Sequence, residues 1–451
     1  MPPDTSPTVT HSSKEVAIIS LLWSTHLPIL LDYLTHLPDT RPRTIFLLAC
    51  IAETPEDIKK IEALGVTIRV IESPLSDLQK QTINQYHNQA LVQLTRCFRS
   101  AHWKTFCQRC GAPFTETTAT ISKLLTQNLS RIEIYLTWLE KIRQDYFVEV
   151  LLSSEDVLTL ARTTILWAKK ANIPSVHIQH GPQLSQPPPI HDQDFADYMS
   201  VYGQRAVDAH AGLGFQRSKI AIAGNHCWDV HRRYGRHKGK MRHMIDQQYQ
   251  LKPQPLVLFG TTWVARLLSA HIDSEIHAKT LSAVFGAFKQ LQARNINITL
   301  VIKDRAANVA LLDSAHVTAT LATQCGLKTD EYLYTTADAA QLVSAADVLI
   351  SCDSTLSIEA MHTLTPAINL NSEWPMMLGS SFHAEDGILS VCEFNATHLA
   401  DRIEALLFDK TFRAAQIDKM VQHAPLYNVT AHDGNALTNI TSVITNITQR
   451  T

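Results

Sequence analysis

From Glu15 onward, short apolar runs alternate along the chain with longer amphipathic segments. Residues 16–22, 44–50, 66–71 and 148–152 are apolar enough to form buried strands, and helical spacing fills most of the segments between them. This rhythm is typical of strand-helix-strand units, which build parallel sheets covered by helices. The pattern predicts an α/β fold whose opening part is half of a doubly wound, Rossmann-like domain.

The alternation is interrupted twice. Residues 78–145 have helical periodicity with few strand-like runs, which predicts a helical insertion. Residues 231–255 are polar and basic and end in prolines, a composition typical of an interdomain connection. We therefore predict an N-terminal Rossmann-like domain over 1–240, a second such domain over 255–425, and a helical C-terminal tail over 426–451.

Length and composition exclude several classes of function. A length of 451 residues suits two large domains, and the balance of 40 Lys and Arg against 42 Asp and Glu gives no bias toward nucleic acid. The eight cysteines are scattered, which argues against a disulfide framework and favours a reducing, cytoplasmic location. Neither a signal peptide nor an 18-residue apolar span is visible.

The segment Asp353-Ser354-Thr355 lies between an apolar strand and a helical stretch. Hydroxyl groups and free backbone N–H groups at a helix start bind anions at the carboxyl end of a parallel sheet. Glu359 lies four residues past Thr355, so the spacing predicts that both share a helix face, where the carboxylate accepts hydrogen bonds from a ribose or sugar. Taken alone, the segment also fits an ordinary helix cap.

Three further segments end predicted strands with polar residues. His180-Gly181 follows one strand, and the glycine lets a backbone or ligand approach closely. The histidine is a candidate base or phosphate donor, with a hydrogen-bonded turn as the alternative. Thr261 and Thr262, with Arg266 beyond them, follow another strand, and Lys303 follows the next. Each is a candidate anion-binding loop, and each taken singly is better explained as a solvated loop.

Several of these segments occur in the order seen in GT-B glycosyltransferases. The sequence most resembles the group that contains CDP-glycerol glycerophosphotransferases and capsule polysaccharide transferases. The resemblance spans roughly residues 148–370 and rests on the following motifs: Ile173-Pro174-Ser175-Val176-His177-Ile178-Gln179-His180-Gly181, Ile222-Ala223-Gly224-Asn225-His226-Cys227-Trp228-Asp229, Gly260-Thr261-Thr262-Trp263, Asp353-Ser354-Thr355 through Glu359-Ala360-Met361, and Thr365-Pro366-Ala367-Ile368.

The resemblance implies two Rossmann-like domains that face each other across a cleft, with the donor bound mainly by the second and the acceptor by the first. It assigns phosphate contacts to Thr261, Thr262, Lys303, Ser354 and Thr355. Glu359 would contact the donor sugar or ribose, and His180 would face the transferred group. Relatives commonly have Lys-x-His-Pro where this chain has Lys303-Asp304-Arg305, and Pro-Thr-Trp where it has Thr261-Thr262-Trp263, so the identity of the donor stays open.

The predicted reaction is an inverting transfer of a sugar from a nucleotide-activated donor to a glycan or glycolipid acceptor. It needs a base for the acceptor hydroxyl and cations or N–H dipoles for the departing phosphate, and it requires no metal cofactor. Glu155 and Asp156 are candidates for the base, with His180 and His26 as rivals. Because acidic residues also favour a helix start, the alternative for Glu155 and Asp156 is a structural role at the start of a helix.

Three alternatives to a sugar transferase stay open. The first is a glycerophosphotransferase, and the second is a sugar-nucleotide 2-epimerase. Epimerases of this type have a sequence similar to His-x-Glu-Ala-Gly at the position of Gln179-His180-Gly181, and this difference argues against them. The third is a relative that binds nucleotide sugar without turnover. A peripheral contact with the inner face of the membrane is also open, because residues 231–243 are basic.

Overall fold

The structure is a computed structural model of the 451-residue chain. It describes the chain except for residues 1–13, 38–41, 48–54, 71–74, 110, 112, 157, 182–195, 213, 262–269, 306–312, 353, 371–385, 450 and 451. Within this described part, no helix combines the length and apolar character needed to cross a bilayer.

The strands form two parallel sheets. They are β1 (Val16–Leu21), β2 (Arg43–Leu47), β3 (Thr67–Val70), β4 (Phe147–Ser153), β5 (Ser175–Ile178), β6 (Tyr198–Val201), β7 (Ile220–Ile222), β8 (Leu256–Gly260), β9 (Thr299–Lys303), β10 (Tyr332–Thr335), β11 (Val348–Ser351), β12 (Ala367–Leu370) and β13 (Ser390–Cys392). The first sheet has the order β3-β2-β1-β4-β5-β6-β7, and the second has the order β10-β9-β8-β11-β12-β13. Both contain the doubly wound strand order, and the predicted α/β class is confirmed.

Helices occupy most of the intervening segments. They are α1 (Leu27–Thr35), α2 (Pro55–Glu62), α3 (Asp77–Phe98), α4 (Ala101–Arg109), α5 (Phe114–Asp145), α6 (Thr159–Lys170), α7 (Gln204–Gly212), α8 (His226–Gly235), α9 (Lys238–Tyr249), α10 (Ala270–Ala293), α11 (Ser314–Gln324), α12 (Ala339–Ala345), α13 (Leu356–Thr363), α14 (Ala396–Phe408), α15 (Lys410–Tyr427) and α16 (Ala436–Thr448). Helices α3, α4 and α5 occupy the segment predicted as a helical insertion.

Contacts between Cα atoms divide the chain into two compact units. One consists of Met1–His180, Asp194–Ser200 and Ile440–Thr451, and the other of Gly181–Gln193 and Val201–Asn439. This division differs from the predicted domains of 1–240 and 255–425. The physical reason is a shared core: Trp228 of α8 and Ile245 of α9 are buried with Leu256 and Leu258 of β8.

The segment predicted as an interdomain connection, residues 231–255, is largely helical, because α8 and α9 extend through most of it. Its basic residues are partly engaged in ion pairs. The Arg242 side chain lies 2.8 Å from Asp246 and 2.9 Å from Asp347, and the carboxylate of Asp347 also accepts the backbone N–H of Leu256 at 2.8 Å. Arg242 therefore anchors α9 to the start of β8 and β11.

The core of the second unit lies on both faces of its sheet. Strands β8 and β11 are completely buried, as their apolar runs predict. One face packs against α10 and α14, with Phe285 and Leu399 among the buried residues. Elements α11, β10, α12 and β13 belong to this unit and were absent from the prediction. The sequence also predicts a helix over 306–312, and this segment lies outside the described residues.

Candidate functional site

The carboxyl ends of β8 and β11 lie side by side in the second sheet. The two strands are parallel, and Gly260 pairs with Ser351. The strand order reverses at this point, and ligands of doubly wound sheets bind outside the carboxyl ends of the strands at such a position. A Cβ atom on Gly260 would lie 2.4 Å from Cδ1 of Leu356, so glycine allows the first residue of α13 to pack directly on β8.

Asp304 is the centre of a buried hydrogen-bond network at this edge. It is fully buried, and its carboxylate accepts the hydroxyl protons of Thr261 at 2.5 Å, Ser314 at 2.5 Å and Tyr334 at 2.7 Å. The backbone N–H of Arg305 donates to it at 2.7 Å. Asp304 therefore joins the ends of β8, β9 and β10, and a buried carboxylate with several donors is well compensated for lost water.

Thr261 was predicted to contact phosphate, and this stays a prediction. Its hydroxyl donates to Asp304, and its backbone N–H donates to the carbonyl of Lys303 at 3.0 Å. With both donors engaged inside the protein, Thr261 in this geometry orients the end of β8. Thr262 and Arg266 lie outside the described residues.

Two cations flank Asp304. Burial lowers the pKa of Lys303, and the nearby charge of Arg305 lowers it further. Burial also lowers the pKa of Arg305, against the opposing effects of Glu359 and Asp304. The Lys303 ammonium makes no hydrogen bond or ion pair to another residue in the described part of the chain. Positive charges that are withdrawn from water in this way favour an incoming anion.

Helix α13 follows β11, and the charge of its Glu359 raises the pKa of both Lys303 and Arg305. Ser354 is buried, and its hydroxyl oxygen accepts the backbone N–H of Leu356 at 3.4 Å. The Thr355 hydroxyl donates to Oε1 of Glu359 at 3.1 Å, which confirms the prediction that these two side chains share a helix face. Asp353 lies outside the described residues.

Sequence reasoning missed His231 and did not select Asp304 or Arg305 as site residues. His231 is buried on α8, and its Nε2 atom lies 3.3 Å from Oε2 of Glu359. Polar residues directly after a predicted strand are a signal that pointed to Asp304 and Arg305. No comparable signal exists for His231, since it lies within a helix far from α13 in the chain.

In the first unit, His180 follows β5 and is held in a fixed orientation. Its Nδ1 atom donates to the backbone carbonyl of Ser154 at 2.5 Å, and its ring packs on Trp23 with centroids 4.4 Å apart and ring planes tilted by 31°. A proton on Nδ1 leaves Nε2 as the basic nitrogen of the neutral ring. The rival His26 is buried, with Nδ1 2.6 Å from the Ser154 hydroxyl.

The two predicted acidic residues are both buried. Oε2 of Glu155 accepts the backbone N–H of Leu158 at 2.7 Å, so Glu155 caps the chain entering α6. Oδ2 of Asp156 lies 3.7 Å from Nδ1 of His177 on β5. These contacts fit the structural alternative for Glu155 and Asp156, and their role as base stays a prediction.

Gly181 follows His180 directly. A Cβ atom at this position would meet no atom of the described residues within 4 Å. This fits the predicted approach of a ligand to Gly181, which stays a prediction.

The chain matches no family model and no curated protein. It is similar to solved structures at low sequence identity. A putative UDP-N-acetylglucosamine 2-epimerase from Listeria monocytogenes has a TM-score of 0.55 at 14% identity, and the match covers 97% of this chain and 98% of that one. The UDP-GlcNAc 2-epimerase from Neisseria meningitidis, bound to UDP-GlcNAc, has a TM-score of 0.55 at 11% identity, with 96% and 100% covered.

A glycosyltransferase from Rickettsia africae has a TM-score of 0.53 at 11% identity, with 97% and 99% covered. The similarity to all three proteins extends over nearly the whole chain, and at these identities it concerns the fold alone. The chain therefore has the α/β fold of GT-B-like proteins, with two parallel, doubly wound sheets.

Proposed function

We propose that this chain is a glycosyltransferase that takes a sugar from a nucleotide-activated donor, with inversion at the anomeric carbon. The observation that carries the proposal is the group formed by Lys303, Arg305 and Glu359 at the carboxyl edge of the second sheet. Two partly desolvated cations suit a diphosphate, and a carboxylate beside them suits the hydroxyl groups of a ribose or sugar.

Lys303 and Arg305 are also suited to stabilise the leaving group of the proposed transfer. When the acceptor oxygen attacks the anomeric carbon, the bond from that carbon to the phosphate oxygen breaks, and the nucleoside diphosphate leaves with the electron pair. Lys303 and Arg305 stabilise this developing negative charge, because preorganised charges in a site poor in water act strongly. We propose that the reaction uses no metal, and that the two side chains provide the positive charge.

His180 is the proposed base. Its Nδ1 proton is held by the Ser154 carbonyl, so Nε2 is available in the neutral ring to take the proton of the acceptor hydroxyl. The contact with Trp23 fixes the ring plane. Glu155 and Asp156 are weaker candidates, since one caps the chain entering α6 and the other faces His177.

The acceptor is proposed to be a surface glycan or glycolipid, reached at an anionic membrane surface. The helical insertion supports this, because it exposes large apolar side chains, including Leu78 at 73%, Tyr86 at 60% and Phe106 at 52%. Cations outnumber acidic residues over 77–131. The cations are Lys80, Arg96, Arg99, Lys104, Arg109, Lys123 and Arg131, and the acidic residues are Asp77 and Glu116. Exposed apolar and basic side chains together favour binding to anionic lipid.

A UDP-sugar 2-epimerase is the second candidate. Two of the three similar structures described above carry this name, so the fold fits an epimerase at least as well as a transferase. The candidate site also suits both, since each activity binds a nucleotide sugar. The transferase is preferred because this chain has Gln179-His180-Gly181 at the position where epimerases have a sequence similar to His-x-Glu-Ala-Gly.

The experiment is incubation of the pure protein with UDP-, CMP- and CDP-sugars and with CDP-glycerol, with free nucleotide and donor configuration measured in parallel. A transferase releases nucleotide slowly from one sugar donor, including in the presence of EDTA. Release from CDP-glycerol alone indicates a glycerophosphotransferase. A change of sugar configuration without acceptor indicates the epimerase, and binding without either change contradicts both enzymes.

A further inference from the structure

Helix α8 carries a buried histidine that faces Glu359 of α13. The Nε2 atom of His231 lies 3.3 Å from Oε2 of Glu359, and the two side chains are 6% and 14% exposed. The other ring nitrogen of His231 has no hydrogen-bond partner in the described part of the chain. Glu359 is therefore the one polar group among the described residues to which this imidazole is directed.

The packing of α8 on α13 fixes this contact. Trp228, His231 and Gly235 are spaced three and four residues apart, so they lie on one face of α8. The indole of Trp228 packs on the ring of His362 with centroids 5.3 Å apart. A Cβ atom on Gly235 would lie 2.8 Å from the His362 carbonyl oxygen, so glycine allows the end of α8 to approach the backbone of α13 closely. The helix pair thus places His231 against Glu359.

The carboxylate of Glu359 is held at both oxygens. Oε1 accepts the Thr355 hydroxyl at 3.1 Å, and Oε2 faces the His231 ring. Each carboxylate oxygen has a second lone pair, so both can still accept a hydrogen bond from a ligand. Two acceptors with a fixed spacing and direction match two adjacent hydroxyl groups, such as the 2′ and 3′ hydroxyls of a ribose.

We infer that His231 is a positioning residue, which orients Glu359 so that the site distinguishes a ribonucleotide from a 2′-deoxyribonucleotide. The inference rests on the proposed function, because it assumes that Glu359 contacts the ribose of a nucleotide donor. His231 acts through Glu359 and does not itself contact the ligand. Its loss therefore affects recognition of the hydroxyl groups more than the attraction of the diphosphate by Lys303 and Arg305.

The test is calorimetric titration of the full chain with UDP and with 2′-deoxy-UDP. The wild type is expected to bind UDP about tenfold more tightly, the effect of about one hydrogen bond to a charged group. In His231→Leu, UDP affinity falls by a similar factor while 2′-deoxy-UDP affinity changes little, so the ratio approaches one. His231→Gln keeps an N–H donor and is expected to restore most of the ratio.

His362→Leu is the matched control, since this histidine is also buried at the interface of α8 and α13 and has no hydrogen bond from its ring in the described structure. It should leave the ratio unchanged. If His231→Leu does not fold, Thr355→Val removes the other hydrogen bond to Glu359 and should lower the same ratio.

Three outcomes overturn the inference. A folded His231→Leu protein that keeps the wild-type ratio contradicts it while leaving the proposed function intact. A His231→Gln protein that matches His231→Leu rejects the role of the N–H donor. If the wild type binds none of UDP, CDP and CMP, the proposed function is rejected, and the inference with it.

Discussion

The hydroxyl of Thr261, at the end of β8, donates a hydrogen bond of 2.5 Å to the buried carboxylate of Asp304, which follows β9. Two further hydroxyls and one backbone N–H donate to the same carboxylate. The backbone that carries Lys303 and Arg305 is thereby held between neighbouring strand ends. The position of the proposed phosphate-binding cations thus depends on a residue that need not touch the ligand.

Replacing Asp304 should destabilise the second unit. In Asp304→Ala, the buried hydroxyls of Thr261 and Ser314 lose their acceptor, and the unfolding free energy is expected to fall by about 3 kcal/mol. Urea unfolding followed by circular dichroism measures this change. Asp330→Ala, at an exposed position of the same unit, is the control and should have no effect. Equal stability of both variants would contradict the structural role of Asp304.

Removing the charge of Lys303 should weaken nucleotide binding. Lys303→Ala is expected to lower UDP affinity at least tenfold, because the cation is partly desolvated and makes no hydrogen bond to a described residue. Lys328→Ala, an exposed lysine in the same unit, is the control. Calorimetry with UDP distinguishes them, and similar affinities for the two variants would reject the assignment.

The affinity for UDP should also depend on pH. The pKa of Lys303 is lowered by burial, so the ammonium loses its proton at a lower pH than an ordinary lysine. The protonated form attracts the diphosphate, so affinity should decrease as the pH rises through this lowered pKa. Titrations between pH 7 and 10 measure the decrease, and Lys303→Arg, which stays charged, should abolish it. A decrease that persists in Lys303→Arg would assign it to another group.

Loss of His180 should affect turnover and leave donor binding in place. If His180 takes the proton of the acceptor, His180→Ala should lower kcat by a factor of about 10² to 10⁴ with little change in UDP affinity. His102→Ala, an exposed histidine in the same unit, serves as the control. A kcat within a factor of about two of the wild type would exclude His180 as the general base.

Acid should destabilise the protein through His362. Burial lowers the pKa of His362 to about 3, from an ordinary value of 6.5. Between these values the unfolded chain binds the proton and the folded chain does not, so stability is fully present above pH 6.5 and is lost as the pH falls toward about 3. His362 contributes up to about 1.4 kcal/mol per pH unit to this loss. Thermal midpoints from pH 7 to 5 should therefore fall less in His362→Leu than in the wild type, and parallel curves would contradict the assignment.

The helical insertion should bind anionic membranes. Sedimentation with vesicles that contain phosphatidylglycerol should capture the wild type and capture less of the Leu78→Glu/Tyr86→Glu double variant. Leu166→Glu changes an exposed leucine of the same unit outside the insertion, so it should behave as the wild type. Capture by neutral vesicles to the same extent would contradict the contribution of the basic residues.

Much of the second unit could be predicted from local sequence. The apolar runs of β8, β9 and β11 indicate buried parallel strands, and the carboxyl ends of parallel strands meet at one edge of the sheet. The polar residues after these runs, such as Thr261, Lys303 and Ser354, were therefore expected to lie together. The four-residue spacing of Thr355 and Glu359 was sufficient to predict their shared helix face, because helical geometry is local.

The contacts that these residues make with distant segments of the chain were decided only by the tertiary structure. The basic, polar composition of residues 231–249 suggested a linker, yet Trp228 of α8 and Ile245 of α9 are buried in the same apolar core as Leu256 and Leu258 of β8. The engagement of Thr261 by Asp304 and the approach of His231 to Glu359 join segments far apart in the chain. Such contacts depend on how helices and strands pack, which no local pattern of hydrophobic and polar residues specifies.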